Sequence, residues 1–365
     1  TYVYGGILKK FNNVIKGTLI LTTAGILSKI LGFFYRIYLS RCIGAAGMGL
    51  FQIVMPAAGI VFAICSSGIQ TAISKFCCDK KNDFLWLISG LLLSIPTSLI
   101  LTFIVYTNAD FIATRFILNE ACSSLLKILS LSFPFAAFHN CINGFYFAKK
   151  KTAIPAFSQL FEQIIRFFAV YIYVTIYASD GNASVLCAIY SNLFGEIASF
   201  LYCTCAIFYT FIKSKCNNTH KKSSLMSKIR EMFKFSFPLT ANRLLMHIFQ
   251  SAEAVLVPAQ LIVYGLSKSD SVSIYGILTG MAMPLILFPT ALTNSLAVML
   301  LPAVSELNLE NNNKSIKSTI NKCITFCIST GVLSTAIFIF YGSYAGAIVF
   351  NQPEVRNYVC ILAWL

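Results

Sequence analysis

Seven ionisable side chains stand inside stretches of this sequence that are otherwise apolar: Lys29, Arg36, Glu162, Arg166, Glu196, Arg243 and Glu253. A charge carried into a hydrocarbon layer costs about 2.5 to 3.5 kcal/mol on insertion scales, so each of them needs a counter-charge, water or a ligand. Lys29 and Arg36 are seven residues apart, which places them within about 20° of one helix face, with Ser28 and Gly32 beside them. Arg36, nearer the end of its run, can also snorkel to the interface.

Gln159, Glu162, Gln163 and Arg166 recur at i, i+3, i+4 and i+7, and Glu162 and Arg166 are spaced to pair. Two kinds of chemistry fit them. The pair either neutralises itself and locks helix packing, or it lines a wet cavity where Arg166 meets an anionic group and Glu162 changes protonation state or carries a coupling cation. Asn242, Arg243, His247, Gln250 and Glu253 share a helix sector about 140° wide, and His247 among them reads as a hydrogen-bonded packing residue. Glu196 has no partner at helical spacing, so a neighbouring helix must satisfy it or function must use it. Phosphate loop, HExxH, GxSxG and paired CxxC patterns are absent, and His139, His220 and His247 do not form a metal set. An enzyme, an ATP-driven pump, a cofactor and a metal centre are therefore not expected.

The elements that must position these groups are membrane helices. Of 365 residues 57% are hydrophobic and only 11% charged, with mean hydropathy +0.74, too apolar for a surface facing water. Runs long enough to cross a hydrocarbon core of about 30 Å fall near 17–39, 47–74, 84–106, 122–148, 153–178, 183–212, 235–264, 272–303 and 318–341, and a tenth opens near 355. The net charge of +15 sits in short clusters between these runs, a pattern of membrane orientation rather than of nucleic-acid binding, so no nucleic acid is expected. With the N-terminus inside, nineteen Lys and Arg fall in cytoplasmic loops and five in outer ones. The protein is accordingly expected in a bacterial cytoplasmic membrane, multi-pass, with its N-terminus cytoplasmic and membrane lipids around it.

The thirteen cysteines, scattered through apolar runs, read as small buried hydrophobes. Both ends look cut: the chain starts at Thr1 and stops at Leu365 in an apolar run just begun, so a longer native protein is expected. The basic stretch 214–233 reads as a cytoplasmic linker between an N-terminal lobe, 1–213, with helices 1–6, and a partial C-terminal lobe, 234–365, with helices 7–10. Within the linker, SSLMSKIREMFKF reads either as an interfacial amphipathic helix or as a solvated strap. Two halves are also suggested by an internal match in which Met55-Pro56 lies beside Met283-Pro284. Prolines such as Pro56, Pro96, Pro238, Pro258 and Pro284 let such helices bend around a cavity.

The stretch KGTLILTTAGILSKILGFFYRIYLSRCIGAAGMGLFQIVMP from Lys16 resembles the first two helices of the stage V sporulation protein B group. That group is in the polysaccharide-transporter branch of the multidrug/oligosaccharidyl-lipid/polysaccharide exporter superfamily. AFSQLFEQIIRFFAV from Ala156 and SIYGILTGMAMPLILFPTALTNSLAVMLLPAVSELN from Ser273 agree, and the last is the most specific. The resemblance implies an all-α polytopic membrane protein, a MATE-like two-lobe helical bundle, with about ten helices here of an expected twelve to fourteen. It also implies a flippase for undecaprenyl-pyrophosphate-linked sugars, tied to cell-wall or spore cortex peptidoglycan. The run SKILGF from Ser28 is similar to the basic start of the lipid II flippases and carries Lys29 over as a headgroup contact. Span two departs from them in having no charge before Lys75.

Together these readings give an expected cavity in which Lys29, Arg36, Arg166, Arg243 and Asn242 receive a lipid-linked glycan headgroup, while Glu162 and Glu253 balance charge or serve a coupling cation, and lobe rocking exposes the cavity to either side. A cation-coupled multidrug exporter is the alternative, and a scaffold for cell-wall enzymes a third reading.

Overall fold

The computed structural model describes residues 2–78, 83–177, 184–213, 225–291 and 313–364, together with positions 293, 294, 296, 300 and 304. All regular structure among the described residues is helical. Helix α1, Tyr2–Phe62, continues through a π-helical turn, Ala63–Ser67, into α2, Gly68–Phe76. Then come α3, Asp83–Thr107; the short α4, Ala109–Phe111, with a second π turn, Ile112–Phe116; α5, Cys122–Ser130; and α6, Phe133–Ala148. The chain goes on as α7, Ala153–Tyr177; α8, Leu186–Lys213; α9, Leu225–Val263; and α10, Lys268–Tyr275. A third π turn, Gly276–Ala282, leads into α11, Met283–Ile286, and the described chain closes with α12, Asn313–Phe350, and α13, Val355–Leu362.

Among the described residues six helical stretches are long and apolar enough to cross a membrane: Thr22–Phe76, Asp83–Thr107, Ala153–Tyr177, Leu186–Lys213, Leu225–Val263 and Lys314–Gly342. The α5–α6 pair, bent by 44°, makes a seventh. Pro134 in the first turn of α6 explains why the new helix starts there, since a residue without an N–H costs nothing at that position. The expected ten spans are not reached among the described residues. The first two are run together in one stretch of 55 residues, which as a straight rod would be about 80 Å long, more than two bilayer cores. Gly44 breaks that rod, with φ 69° and ψ −177°, a conformation glycine takes without a Cβ clash, and so separates the two crossings. Of the expected span 272–303, much of the second half lies outside the described residues, and α13 has only eight residues.

Helix ends follow local chemistry. Ser267 caps α10, its Oγ accepting from the Asp270 N–H at 3.1 Å, and Gly265 at φ 99° ends α9. Large apolar side chains such as Phe103, Ile176, Phe208 and Phe340 point outward and are exposed, as hydrocarbon contact requires. Between the helices sit small buried polar residues, Ser89, Ser94, Ser158, Ser191 and Ser199, which permit close backbone approach in membrane interiors. Several return their hydroxyl to their own helix, as Ser89 does to the Leu85 carbonyl at 2.7 Å.

The chain divides into two compact units, one of residues Thr1–Arg41 with Ile277–Leu365 and the other of Cys42–Gly276. In the first, Arg41 donates from Nε to the Val349 carbonyl at 2.7 Å and from Nη2 to that of Ile348 at 2.5 Å, a cation on the C-terminal carbonyls of α12. In the second, Ile69, Ile73, Trp86, Leu87, Phe145 and Met232 form the centre of a continuous core. Of the basic stretch 214–233, residues 214–224 lie outside the described residues, and from Leu225 it forms the first turns of α9. Met232 there is fully buried, and Lys228 Nζ stands 5.0 Å over the Trp86 ring, so this amphipathic segment packs on the core of its unit. Of the thirteen cysteines, Cys65, Cys77, Cys122, Cys141, Cys187 and Cys203 are buried free thiols, whereas Cys78 and Cys205 are exposed.

Candidate functional site

Three helices of the second unit bring ionisable side chains to one point. On α7, Arg166 Nη2 lies 2.6 Å from Glu162 Oε1, one turn away, so the pairing implied by the sequence spacing is made. The same nitrogen is 2.9 Å from Glu196 Oε1 on α8. The other oxygen of Glu196 accepts from His139 Nε2 on α6 at 2.7 Å. One turn further along α6, Asn143 Nδ2 stands 3.5 Å from His139 Nδ1, and Cys203 Sγ is 3.5 Å from Asn143 Oδ1. Ser199 Oγ lies 3.2 Å from the Ser158 carbonyl and 3.3 Å from Glu162 Oε2.

The helices can meet here because the contact residues are small. Ser158 and Ser199 are buried on the facing sides of α7 and α8, and Gly195 leaves room for the Arg166 stem, since a Cβ at that position would lie 2.6 Å from Arg166 Cγ. The side chains are 18% exposed for Arg166, 14% for Glu162, 10% for Glu196 and 7% for His139, so protein rather than solvent must satisfy their charges. Two carboxylates face one guanidinium, and with a neutral imidazole the group carries one net negative charge. The donor atoms of His139, Glu162 and Glu196 all lie within 4.8 Å of one another. The positive charge that such a set would draw in is already supplied by Arg166, bonded to both carboxylates, and this does not fit a resident metal.

The other sequence candidates lie elsewhere. Asn242, Arg243 and Glu253 are exposed on α9, and His247 Nδ1 is 3.1 Å from Gln250 Oε1 with its ring packed against Gly59, in keeping with a packing role. Lys29 is exposed and Arg36 half-buried on the part of α1 that belongs to the first unit. Among the described residues no ion pair includes Lys29, Arg36, Arg243 or Glu253. The structure thus joins Glu162 to Arg166, and adds Glu196 and His139, which the spacing of residues along single helices does not reveal. A signal was present: an unpaired Glu196 in one span, and a lone His139 near the same depth in another, are complementary. On the outer side of α7 and α8 an apolar hollow of about 750 Å³, lined by Phe168, Ile172, Tyr173, Tyr190 and Phe194 among others, offers hydrocarbon-lined space.

A family model described as polysaccharide biosynthesis protein matches residues 14–308. Stage V sporulation protein B of Bacillus subtilis (strain 168) is 28% identical over 357 residues, covering 96% of this chain and 69% of that protein. The lipid II flippase MurJ of the same organism is 23% identical over 367 residues, covering 91% of this chain and 66% of its own length. Among solved structures, a multidrug resistance MATE family transporter of the MOP superfamily in an inward-facing conformation superposes with TM-score 0.63 at 13% identity, over 95% of this chain and 79% of that one. The fold is therefore that of the MATE-like transporters, and the protein is a multi-pass membrane protein.

Proposed function

This chain belongs to the polysaccharide biosynthesis protein family, and on that premise we propose that it is part of a flippase that moves a lipid-linked oligosaccharide or peptidoglycan precursor across the cytoplasmic membrane. The observation that carries the proposal is the family match over residues 14–308, together with relatives that include a protein named as a lipid II flippase. Chemistry supports it. A pyrophosphate-linked sugar is an anion on a long hydrocarbon, and it needs both a cationic contact within the bilayer and helices that open by turns to either side.

Lys29, Arg36 and Arg243, with Asn242, are the proposed headgroup contacts. Arg166 has its charge committed to Glu162 and Glu196, and in this reading it organises α7 and α8 and meets the headgroup only if one carboxylate lets go. Glu253 balances charge, and the proposed orientation has the N-terminus in the cytoplasm, because the loops with Lys149, Lys150 and Lys151 and with Lys314, Lys317 and Lys322 carry the positive excess. The two-lobe division at 214–233 remains part of this proposal.

The test is movement of fluorescent lipid-linked precursors across proteoliposomes made with the full-length protein. Flipping that is saturable and weakened by Lys29→Ala or Arg243→Ala supports the proposal. Export of cationic dyes without any flipping would replace it with a cation-coupled multidrug exporter, and neither activity, with normal binding of cell-wall enzymes, would replace it with a scaffold.

A further inference from the structure

The geometry assigns to His139 a proton-binding role: its Nδ1 takes up and releases one proton, with Glu196, Arg166 and Glu162 as the charges that this proton balances. The hydrogen bonds define where the proton goes. Nε2 already carries the hydrogen given to Glu196 Oε2 at 2.7 Å, and Nδ1 faces the Asn143 amide at 3.5 Å, so Nδ1 is the remaining acceptor on the ring. Asn143 can serve both states. Its NH₂ faces a bare Nδ1, and after the amide turns over, its oxygen faces an Nδ1–H, while the amide group released on the other side meets the Cys203 sulfur.

Charge balance gives the reason for uptake. Without the proton, two carboxylates share one guanidinium in a site closed to solvent, and one negative charge is left over. With it, the imidazolium–Glu196 and Arg166–Glu162 pairs are both complete and the group is neutral. Among the described residues the charged groups around His139 are those of this set: Glu196 from α8, and Glu162 and Arg166 from α7. The titratable side chain joined to this set through Asn143 is the Cys203 thiol on α8, 3.5 Å from Asn143 Oδ1. A proton is favoured over a metal cation because Arg166 already bridges the two carboxylates.

The site also sits where one charge can move helices. Its four residues come from α6, α7 and α8, and it is the only contact among the described ion pairs that links α7 to α8 and α8 to α6. Protonation turns the α6–α8 hydrogen bond into an ion pair, and proton loss returns it to a bond from a neutral ring, with Arg166 then the one cation on Glu196. The proton site rests on this geometry; its use to drive or gate flipping rests in addition on the function proposed above.

The experiment is nitrogen-15 NMR of the histidine rings in the full-length protein in lipid nanodiscs, recorded from pH ~5, where free imidazoles are charged, up to the highest pH at which the protein stays folded. The His139 signal is assigned by its loss in His139→Gln and, should that variant not fold, by its persistence when His220, His247 and every other histidine of the full-length protein are replaced by Gln. Expected is a single titration at Nδ1, moved to lower pH by Glu196→Gln and by Glu162→Gln, because each removes a negative charge. A ring that keeps one protonation state throughout that range would overturn the proposal, as would a signal that shifts with added sodium, manganese or zinc at constant pH. In flipping assays, wild type should depend on pH and His139→Gln should not. A titrating His139 in a protein that flips nothing would uphold the proton site and sink the transport reading alone.

Discussion

Arg166 on α7 and Glu196 on α8, thirty positions apart in the chain, are joined by a bond of 2.9 Å from Nη2 to Oε1, and through it one guanidinium holds two carboxylates. Each prediction about the interior of the second unit starts from that shared cation.

Replacing Arg166 with Ala strands Glu162 and Glu196 in a site only 14% and 10% exposed. Removing one partner of a buried pair costs about 3–5 kcal/mol, so Arg166→Ala should unfold well before wild type in detergent melts. Combining Arg166→Met with Glu162→Gln and Glu196→Gln should recover most of that loss, since the charges leave together. A single substitution without effect on melting would mean the charges are solvated.

Gly195→Ala puts a methyl group 2.6 Å from Arg166 Cγ. Overpacking of this kind costs about 1–3 kcal/mol, and here it also pushes the guanidinium off Glu196. Melting should fall by that amount, and the effect should shrink in an Arg166→Met background, where the side chain can move away. Equal losses in both backgrounds would place the strain elsewhere.

Lys29→Ala and Arg243→Ala each remove one proposed contact to a charged headgroup. A charge-assisted hydrogen bond contributes about 1.5–3 kcal/mol, roughly a tenfold to hundredfold change in apparent affinity. Flipping assays should show that loss in affinity for the lipid-linked precursor, with melting unchanged because neither residue enters an ion pair among the described residues.

Outside the spans, Asp110 is bonded to Lys127 Nζ at 2.8 Å and to the Ser123 hydroxyl, and these partners hold its carboxyl below the ordinary 3.8. A depressed carboxylate contributes stability that is complete above the unfolded value and is lost as pH falls through the lower folded one. Backbone amide exchange around α4 and α5 should therefore speed up only in strong acid, and Asp110→Asn should remove that pH dependence. Because Asp110 is fully exposed, global melting at neutral pH should barely change.

Membrane orientation is open to direct measurement. With a cysteine-free background, Lys150→Cys should be shielded from an impermeant maleimide in intact cells and Arg115→Cys should react. The reverse pattern would invert the proposed topology.

Much of this protein is legible along the chain. The apolar runs locate α3, α7, α8 and α9 to within a few residues, except that α9 starts about ten residues early because the basic stretch ahead of it is helical and packs through Met232. The run 122–148 hides a 44° bend, which depends on how Leu131 and Ser132 leave α5 and not on hydropathy. Gly44 likewise looks like any loop glycine until its φ is known.

Hydropathy and spacing along the chain were enough to give the solvent, the helices and the Glu162–Arg166 pair, because the hydrocarbon cost of a charge and the 3.6-residue period both act locally. That Arg166 serves Glu196 as well as Glu162, and that Glu196 meets His139 across 57 positions of chain, depends on how the helices pack. Helical periodicity fixes which residues share a face of one helix; which faces touch is set by small residues such as Gly195, Ser158 and Ser199 that allow α7 and α8 to approach, and no spacing rule records that.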